Sequence, residues 1–475
     1  MRSLAVIAAV LSAAVLAAGP AALANGRAPV TNGVHFVPGD SHSVYVAATF
    51  GLLVSHDDGC SFRWICEQTI GYGGTFDPRY RIAADGAIFA TTFTGLRVSR
   101  DGGCSFTTAT ADRPLDDPGR IADKWIDAID IGPTGEVWVA TADGGKPNNV
   151  FRSTDNGATF APRGMLSQAI WWNSLAIAPS RALRVYATGY QVAGARADGG
   201  QMPPTAHVEI TDDGGDTWTE SPLAGVRFGT TPRVYAVGVD RANPDVVLLA
   251  STGANRPGGD RLYRSRDGGA TWAEVLATPG PILDVAIEPA GDVLVAATGG
   301  AFQSADGGAT FHAMANAPQL ACVGRRDDGT IFGCGTNWEP DNAAVATTTD
   351  GATWTKRFQF VELAGPLDCP AGTLEQSTCA GLWPSVQQQF GVTGPPAVCP
   401  GAPVIPDATP PALPDAAPPG KAASRGACDA GATTAGQLGA LALLGGICAT
   451  LLLRRRREAS RNKPPSPPRD RDGTP

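Results

Sequence analysis

The sequence predicts an all-β fold, a seven-bladed β-propeller with four-stranded antiparallel blades, and three observations carry that prediction. An octapeptide recurs: SHDDGCSF from Ser55, SRDGGCSF from Ser99, STDNGATF from Ser153, TDDGGDTW from Thr211, SRDGGATW from Ser265, SADGGATF from Ser304, and a worn copy, TTTDGATW, from Thr347. Successive copies begin 44, 54, 58, 54, 39 and 43 residues apart, the spacing of one four-stranded blade. The composition, with 59 Gly and 39 Pro in 475 residues and 17% charged, suits a chain of short strands and tight turns.

The octapeptide is read as structural. Its aspartates, Asp57, Asp101, Asp155, Asp213, Asp267 and Asp306, have the reach to accept hydrogen bonds from the N–H groups of their own turn. The Gly two positions on takes a positive φ without a Cβ clash. The flanks repeat as well. LDVAIEPAGDVLVAAT from Leu283, IDAIDIGPTGEVWVAT from Ile126 and VHFVPGDSHSVYVAAT from Val34 each read as two alternating strands joined by a hairpin, followed by the strand that enters the octapeptide. Counting strands and turns together gives seven blades between about Val30 and Leu367.

The repeat resembles the Asp-box, or BNR, repeat of sialidases, sortilin-type receptors, certain glycoside hydrolases and photosystem-assembly propellers. That resemblance implies boxes joining the two outer strands of each blade, away from the ligand face. A sialidase would also carry an early Arg motif, further arginines for a carboxylate, and a Tyr–Glu pair. Tyr80-Arg81-Ile82 is similar to the start of such a motif, without its Pro and within an ordinary blade strand. Of the glutamates, Glu339 and Glu67 fall in expected ligand-face loops. Xyloglucanase-type propellers use two Asp across a cleft between paired propellers, and one propeller is read here.

Residues 1–24 have a basic start, an apolar run and an Ala22-Leu23-Ala24 end, which predicts a signal peptide and an exported chain. The propeller is assigned to 25–367, a small cysteine-bearing extension to 368–399, and a Pro/Ala-rich tether to 400–427. Next come Cys428 with an apolar helix to residue 453, and a basic tail over 454–475. The apolar run 438–453 before Arg454–Arg457 reads as a membrane anchor, orienting the chain at the cell surface or outer envelope. Cys428, the glycine-rich run and the Arg cluster resemble the MYXO-CTERM sorting signal, in which the Cys is the processing residue. Net charge is −8 overall, and about −14 between signal and tail, which excludes a nucleic-acid binder.

Ten cysteines in an exported chain predict disulfides. Cys322 and Cys334 sit symmetrically about Asp328 in a hairpin, a cross-strand pair. Cys369 and Cys379 are close enough in sequence to pair, and the connectivity of Cys60, Cys66, Cys104, Cys369, Cys379 and Cys399 is left open. With five His and no paired CxxC, neither metal nor cofactor is expected.

Long connections, over 66–80, 110–125, 141–149, 189–206, 251–260 and 335–343, cluster on the face opposite the octapeptide turns. Insertions on one face point to binding. Trp125 and Trp171 each lie eight residues before a proline, Pro133 and Pro179, at matching entries to an inner strand. With Trp172, Tyr72, Tyr80, Tyr190 and Trp338 they read either as a stacking platform for a sugar or peptide or as packing between blades. The expectation is a monomeric, surface-anchored propeller that binds a glycan or an envelope or extracellular protein without catalysis. The alternatives are a glycoside hydrolase, sialidase-like or β-glucanase-like, and an assembly factor for envelope proteins.

Overall fold

The computed structural model describes residues 28–74, 76–195, 201–252, 259–288 and 291–395. They form seven antiparallel sheets arranged as blades, plus a two-stranded excursion at Gly194–Ala195 and Gln201–Met202 in blade 4. The inner strands are Thr31–Phe36, Tyr80–Ile82, Ile126–Ile131, Trp171–Ile177, Arg233–Val239, Ile282–Ile287 and Cys322–Arg325. Each pairs only with the second strand of its own blade.

The second strands explain how the blades hold together. Val44–Ala48, Ile88–Thr92, Val137–Thr141 and Val293–Ala297 are buried at every position, because both faces of a blade are covered by neighbours. Alternation then decides which neighbour each side chain meets. Val44 and Val46 join Phe332 and Val345 of blade 7, whereas Tyr45 and Ala47 join Ile88 and Ala90 of blade 2. Among the described residues there are seven such clusters, one per interface between blades.

The repeated turn is built from side-chain hydrogen bonds. In blade 1 the Asp57 carboxylate accepts the Ser55 hydroxyl at 2.7 Å, the Ser61 N–H at 2.9 Å and the Ser61 hydroxyl at 2.6 Å, while Ser55 Oγ accepts the Gly59 N–H at 2.9 Å. Asp101, Asp155, Asp213, Asp267 and Asp306 repeat the pattern. The Thr271 hydroxyl first, then the Thr271 N–H and the Ser265 hydroxyl, hold the Asp267 carboxyl down at about 2. The worn turn of blade 7 is one residue shorter: Gly351 N–H reaches Thr348 Oγ1 across three residues, and Asp350 accepts from Thr348 and Thr353.

Each blade is continuous in sequence, so the ring closes by other means. After blade 7, Gly365–Pro366 adds a parallel fifth strand beside Arg63 and Trp64 of blade 1. The helix Ala380–Phe390 then seats Phe390 against Phe50 and Phe360, with ring centroids 5.0 and 5.1 Å apart. Disulfides Cys66–Cys379 and Cys104–Cys369 fasten this segment to blades 1 and 2. Cys369 and Cys379 therefore do not pair with each other: the extension runs beside the outer strand of blade 1, and its two cysteines bond to different blades. Cys322 and Cys334 are cross-strand partners and bonded, and Cys60 is disulfide-bonded. The expected signal peptide and tether, Cys399, Cys428 and the apolar run 438–453 lie outside the described residues. Among the described residues no helix is long and apolar enough to cross a membrane.

Candidate functional site

The octapeptide turns lie at one end of the blades, so the starts of the inner strands and the hairpins between second and third strands share the opposite end. Two groups of side chains meet there. The first is a row of rings across blades 2 to 4. Phe76 lies 4.6 Å from Phe93, Phe93 4.9 Å from Trp125, Trp125 5.8 Å from Trp171, and Trp171 5.8 Å from Tyr190, its cross-strand partner. Phe93 is 45% exposed, and Phe76, Trp125 and Trp171 are half-buried, so the row presents ring surface to solvent.

The second group is polar and sits where the row ends. Arg79 Nη2 lies 3.9 Å from Asp127 Oδ1. The Arg79 guanidinium is also 5.8 Å from the Tyr235 ring centroid, which carries a contact from blade 2 to blade 5 over the channel. Arg233 stacks 4.2 Å over Tyr190, a cation–π geometry. Burial pushes the Tyr190 phenol up, with Asp127 and Tyr235 adding and Arg233 and Arg79 opposing. Asn173 completes the floor: its Nδ2 donates to Val234 O at 3.2 Å and its Oδ1 accepts the Thr188 hydroxyl at 2.7 Å.

Bulges place the polar members. The inner strand of blade 3 slips register between Ala140 and Thr141, passing over Asp127, and that of blade 4 slips between Trp172 and Ser174, passing over Asn173. An extra residue in one strand re-aims its side chain, and here it aims an aspartate and an asparagine inward at the mouth.

The expected platform residues separate into two sets. Trp125 and Trp171 belong to the exposed row. Trp172 is fully buried between blades 3 and 4, donating its indole N–H to Met165 O at 3.2 Å. Tyr80 and Tyr190 are buried too, and Trp338 packs edge-on to Phe360 at 6.5 Å. Trp172, Tyr80 and Tyr190 are corrected from stacking surface to packing, because each is buried under a neighbouring blade or ring, whereas Trp338 is half-buried. Tyr72 is half-buried against the blade 1–2 core, its hydroxyl 3.4 Å from Ala48 O. Arg81, the arginine of the sialidase-like tripeptide, is engaged inside the channel, 3.1 Å from Asp130 of blade 3 and 3.0 Å from Tyr80 O. Phe76, Arg79, Phe93, Asp127, Arg233 and Tyr235 were not foreseen from the sequence. A groove of about 350 Å³ lined by Arg100, Thr107 and Asp112 lies on the outer strands, away from the mouth.

No protein-family model matches the chain. It is 27% identical over 158 residues to a xyloglucanase, Xgh74A, of Acetivibrio thermocellus, covering 30% of this chain and 16% of that protein. It is 28% identical over 264 residues to a xyloglucanase of Hypocrea jecorina, covering 46% of this chain and 30% of that protein. Both matches thus span less than a third of the curated relative's length. Among solved structures, a xyloglucanase from Xanthomonas campestris aligns at a TM-score of 0.40 and 17% identity over 68% of this chain and 66% of its own. A sialidase, Hadza microbial sialidase Hz136, aligns at 0.35 and 15% over 61% and 70%. The similarity to xyloglucanases overturns the expectation of a non-catalytic binder and favours the glycoside-hydrolase alternative.

Proposed function

We propose that this chain is an exported propeller glycoside hydrolase that lays a glycan, of the β-glucan class, along the ring row of blades 2 to 4 and cleaves it beside Asp127. The observation that carries this reading is the continuity of the row with the polar cluster. Four partly exposed rings in series suit the apolar faces of successive sugars, and the series ends on a carboxylate, two guanidiniums and two phenols. The similarity to xyloglucanases supports the reaction and substrate class. The disulfides fit an exported protein.

Glycoside hydrolysis needs two carboxyl groups, one to protonate the leaving oxygen and one to act on the opposite side of the sugar ring. Asp127 is the carboxylate of the cluster, oriented by Arg79. Asp77 follows Phe76 and lies two residues before Arg79, and it acts electrostatically on both Tyr72 and Tyr80. We assign these two aspartates as the reacting pair, with Trp125 and Trp171 holding the sugars that lead up to it.

The test is turnover by the full chain on xyloglucan, mixed-linkage β-glucan and sialyllactose, read as released reducing sugar or sialic acid. Asp127→Asn is expected to lower turnover on a glucan by 100-fold or more, the usual scale for a general acid or base, at unchanged melting temperature. Release of sialic acid alone would move the substrate class. Absence of turnover on all three, or full activity in Asp127→Asn, would refute the assignment.

A further inference from the structure

We propose that His207, Glu209 and Glu220, on the outer strands of blade 4, form a binding site for a divalent transition-metal ion of the Zn²⁺ class. The site lies on Thr205–Thr211 and Thr219–Glu220, apart from the ring row and the channel cluster. His207 and Glu209 are two residues apart on one strand and so share a face, and Glu209 pairs directly with Glu220 on the next. Ligand atoms of all three lie within 4.8 Å of one another. One imidazole and two carboxylates, with solvent completing the shell, is a donor set that zinc and its neighbours accept.

Two observations separate this trio from an ordinary acidic surface. The first is uncompensated charge: like charges directly opposite on paired strands are destabilising, and no Lys or Arg forms an ion pair with either glutamate among the described residues.

The second is the orientation of the ring. Thr205 Oγ1 lies 3.0 Å from His207 Nε2, and Glu220 Oε1 lies 2.8 Å from His207 Nδ1. The tautomer that donates Nε2–H to Thr205 turns the Nδ1 lone pair toward the carboxylates, where an ion would take it; with no ion bound, the other tautomer lets Nδ1–H donate to Glu220. A second-sphere hydroxyl fixing the tautomer of a ligand histidine is how metal sites orient that ring. A bound ion would tie the last two strands of blade 4 together at its rim.

The experiment uses the full chain, stripped with chelator and returned to chelator-free buffer at neutral pH, then titrated with ZnCl₂ by calorimetry beside His207→Ala and Glu220→Gln. The wild-type chain is expected to bind one saturable equivalent that both variants bind at least tenfold more weakly. Cobalt is expected to give visible absorption bands in the wild type that vanish in Glu220→Gln. Glu220 is 57% exposed at its side chain, so that variant folds, and a melt without metal confirms it. If the wild type takes up no zinc, or both variants bind as many equivalents with equal affinity, a protonated imidazole alone bridges the glutamates and the proposal falls.

Discussion

Trp171 and Trp172 are consecutive on one strand and face opposite ways, which makes them a matched pair for separating recognition from packing. Trp172 is buried among Trp138, Val150 and Met165, so Trp172→Ala removes a core side chain and costs about 4 kcal/mol. Trp171 is half-buried and rests on two ring contacts, to Trp125 and Tyr190, worth about 1.5 kcal/mol together. A folded body of about 350 residues unfolds with an entropy near 0.7 kcal/mol per kelvin, so the expected falls in Tm are about 5 °C for Trp172→Ala and about 2 °C for Trp171→Ala. Binding should rank the other way. Loss of one stacking platform at about 1.4 kcal/mol weakens affinity for a xyloglucan oligosaccharide about tenfold in Trp171→Ala, while Trp172→Ala stays within about threefold of wild type. Melts and calorimetric titrations on the same preparations read both quantities. A Trp171→Ala variant that binds normally, or that loses as much stability as Trp172→Ala, would refute the reasoning.

Two further outcomes concern stability. Replacing Cys322 and Cys334 together by Ala opens a loop of sequence separation 12, for which loop-closure entropy gives a loss of about 3 kcal/mol, readable as a lower denaturant midpoint; no change in that midpoint would contradict it. Glu288 accepts the Arg325 N–H at 3.0 Å, and burial pushes its carboxyl up from 4.5 to about 7. The folded chain therefore keeps a proton that the unfolded chain has released, so stability is full below pH 4.5 and declines as pH rises toward about 7, by about 3 kcal/mol. Glu288→Gln is expected to flatten that part of the stability profile, and an unchanged slope would show that the decline arises elsewhere.

The fold was legible because its signal is local. Ser or Thr, Asp, Gly and a second Ser or Thr within seven residues contain the hydrogen-bonding programme of the turn, and seven copies fix the blade count. The pairing of Cys66 with Cys379 and of Cys104 with Cys369 was not legible, since it depends on where the chain lies after closing the ring, 313 and 265 residues later. The mouth was read in part. Matching positions before an inner strand picked out Trp125 and Trp171, but strict alternation fails at the bulges beside Asp127 and Trp172. The polar residues that a bulge turns inward therefore looked like ordinary strand positions. Arg79 and Arg233 escaped notice for a related reason: each lies at the very start of an inner strand, and only the ring brings them near Tyr190 and Tyr235.

Because every blade is one uninterrupted stretch of chain, six of the seven interfaces form between segments adjacent in sequence. The seventh has to wait for both ends. Thr31 donates to Ala344 O, and Arg326 and Arg357 reach Asp58, across 268 to 313 residues. Contacts that are close in sequence form before those that require a large loop to close, so the blades assemble as an open arc, starting at the amino-terminal end as the chain emerges. The final joint is then set by the segment carrying Cys369 and Cys379, after their thiols meet an oxidant. An arc halted at that stage would expose the blade 1 face of Val44 and Val46 and the blade 7 face of Phe332, each open to the edge of another arc. The two disulfides thus fasten the one joint that the order of the chain leaves until last.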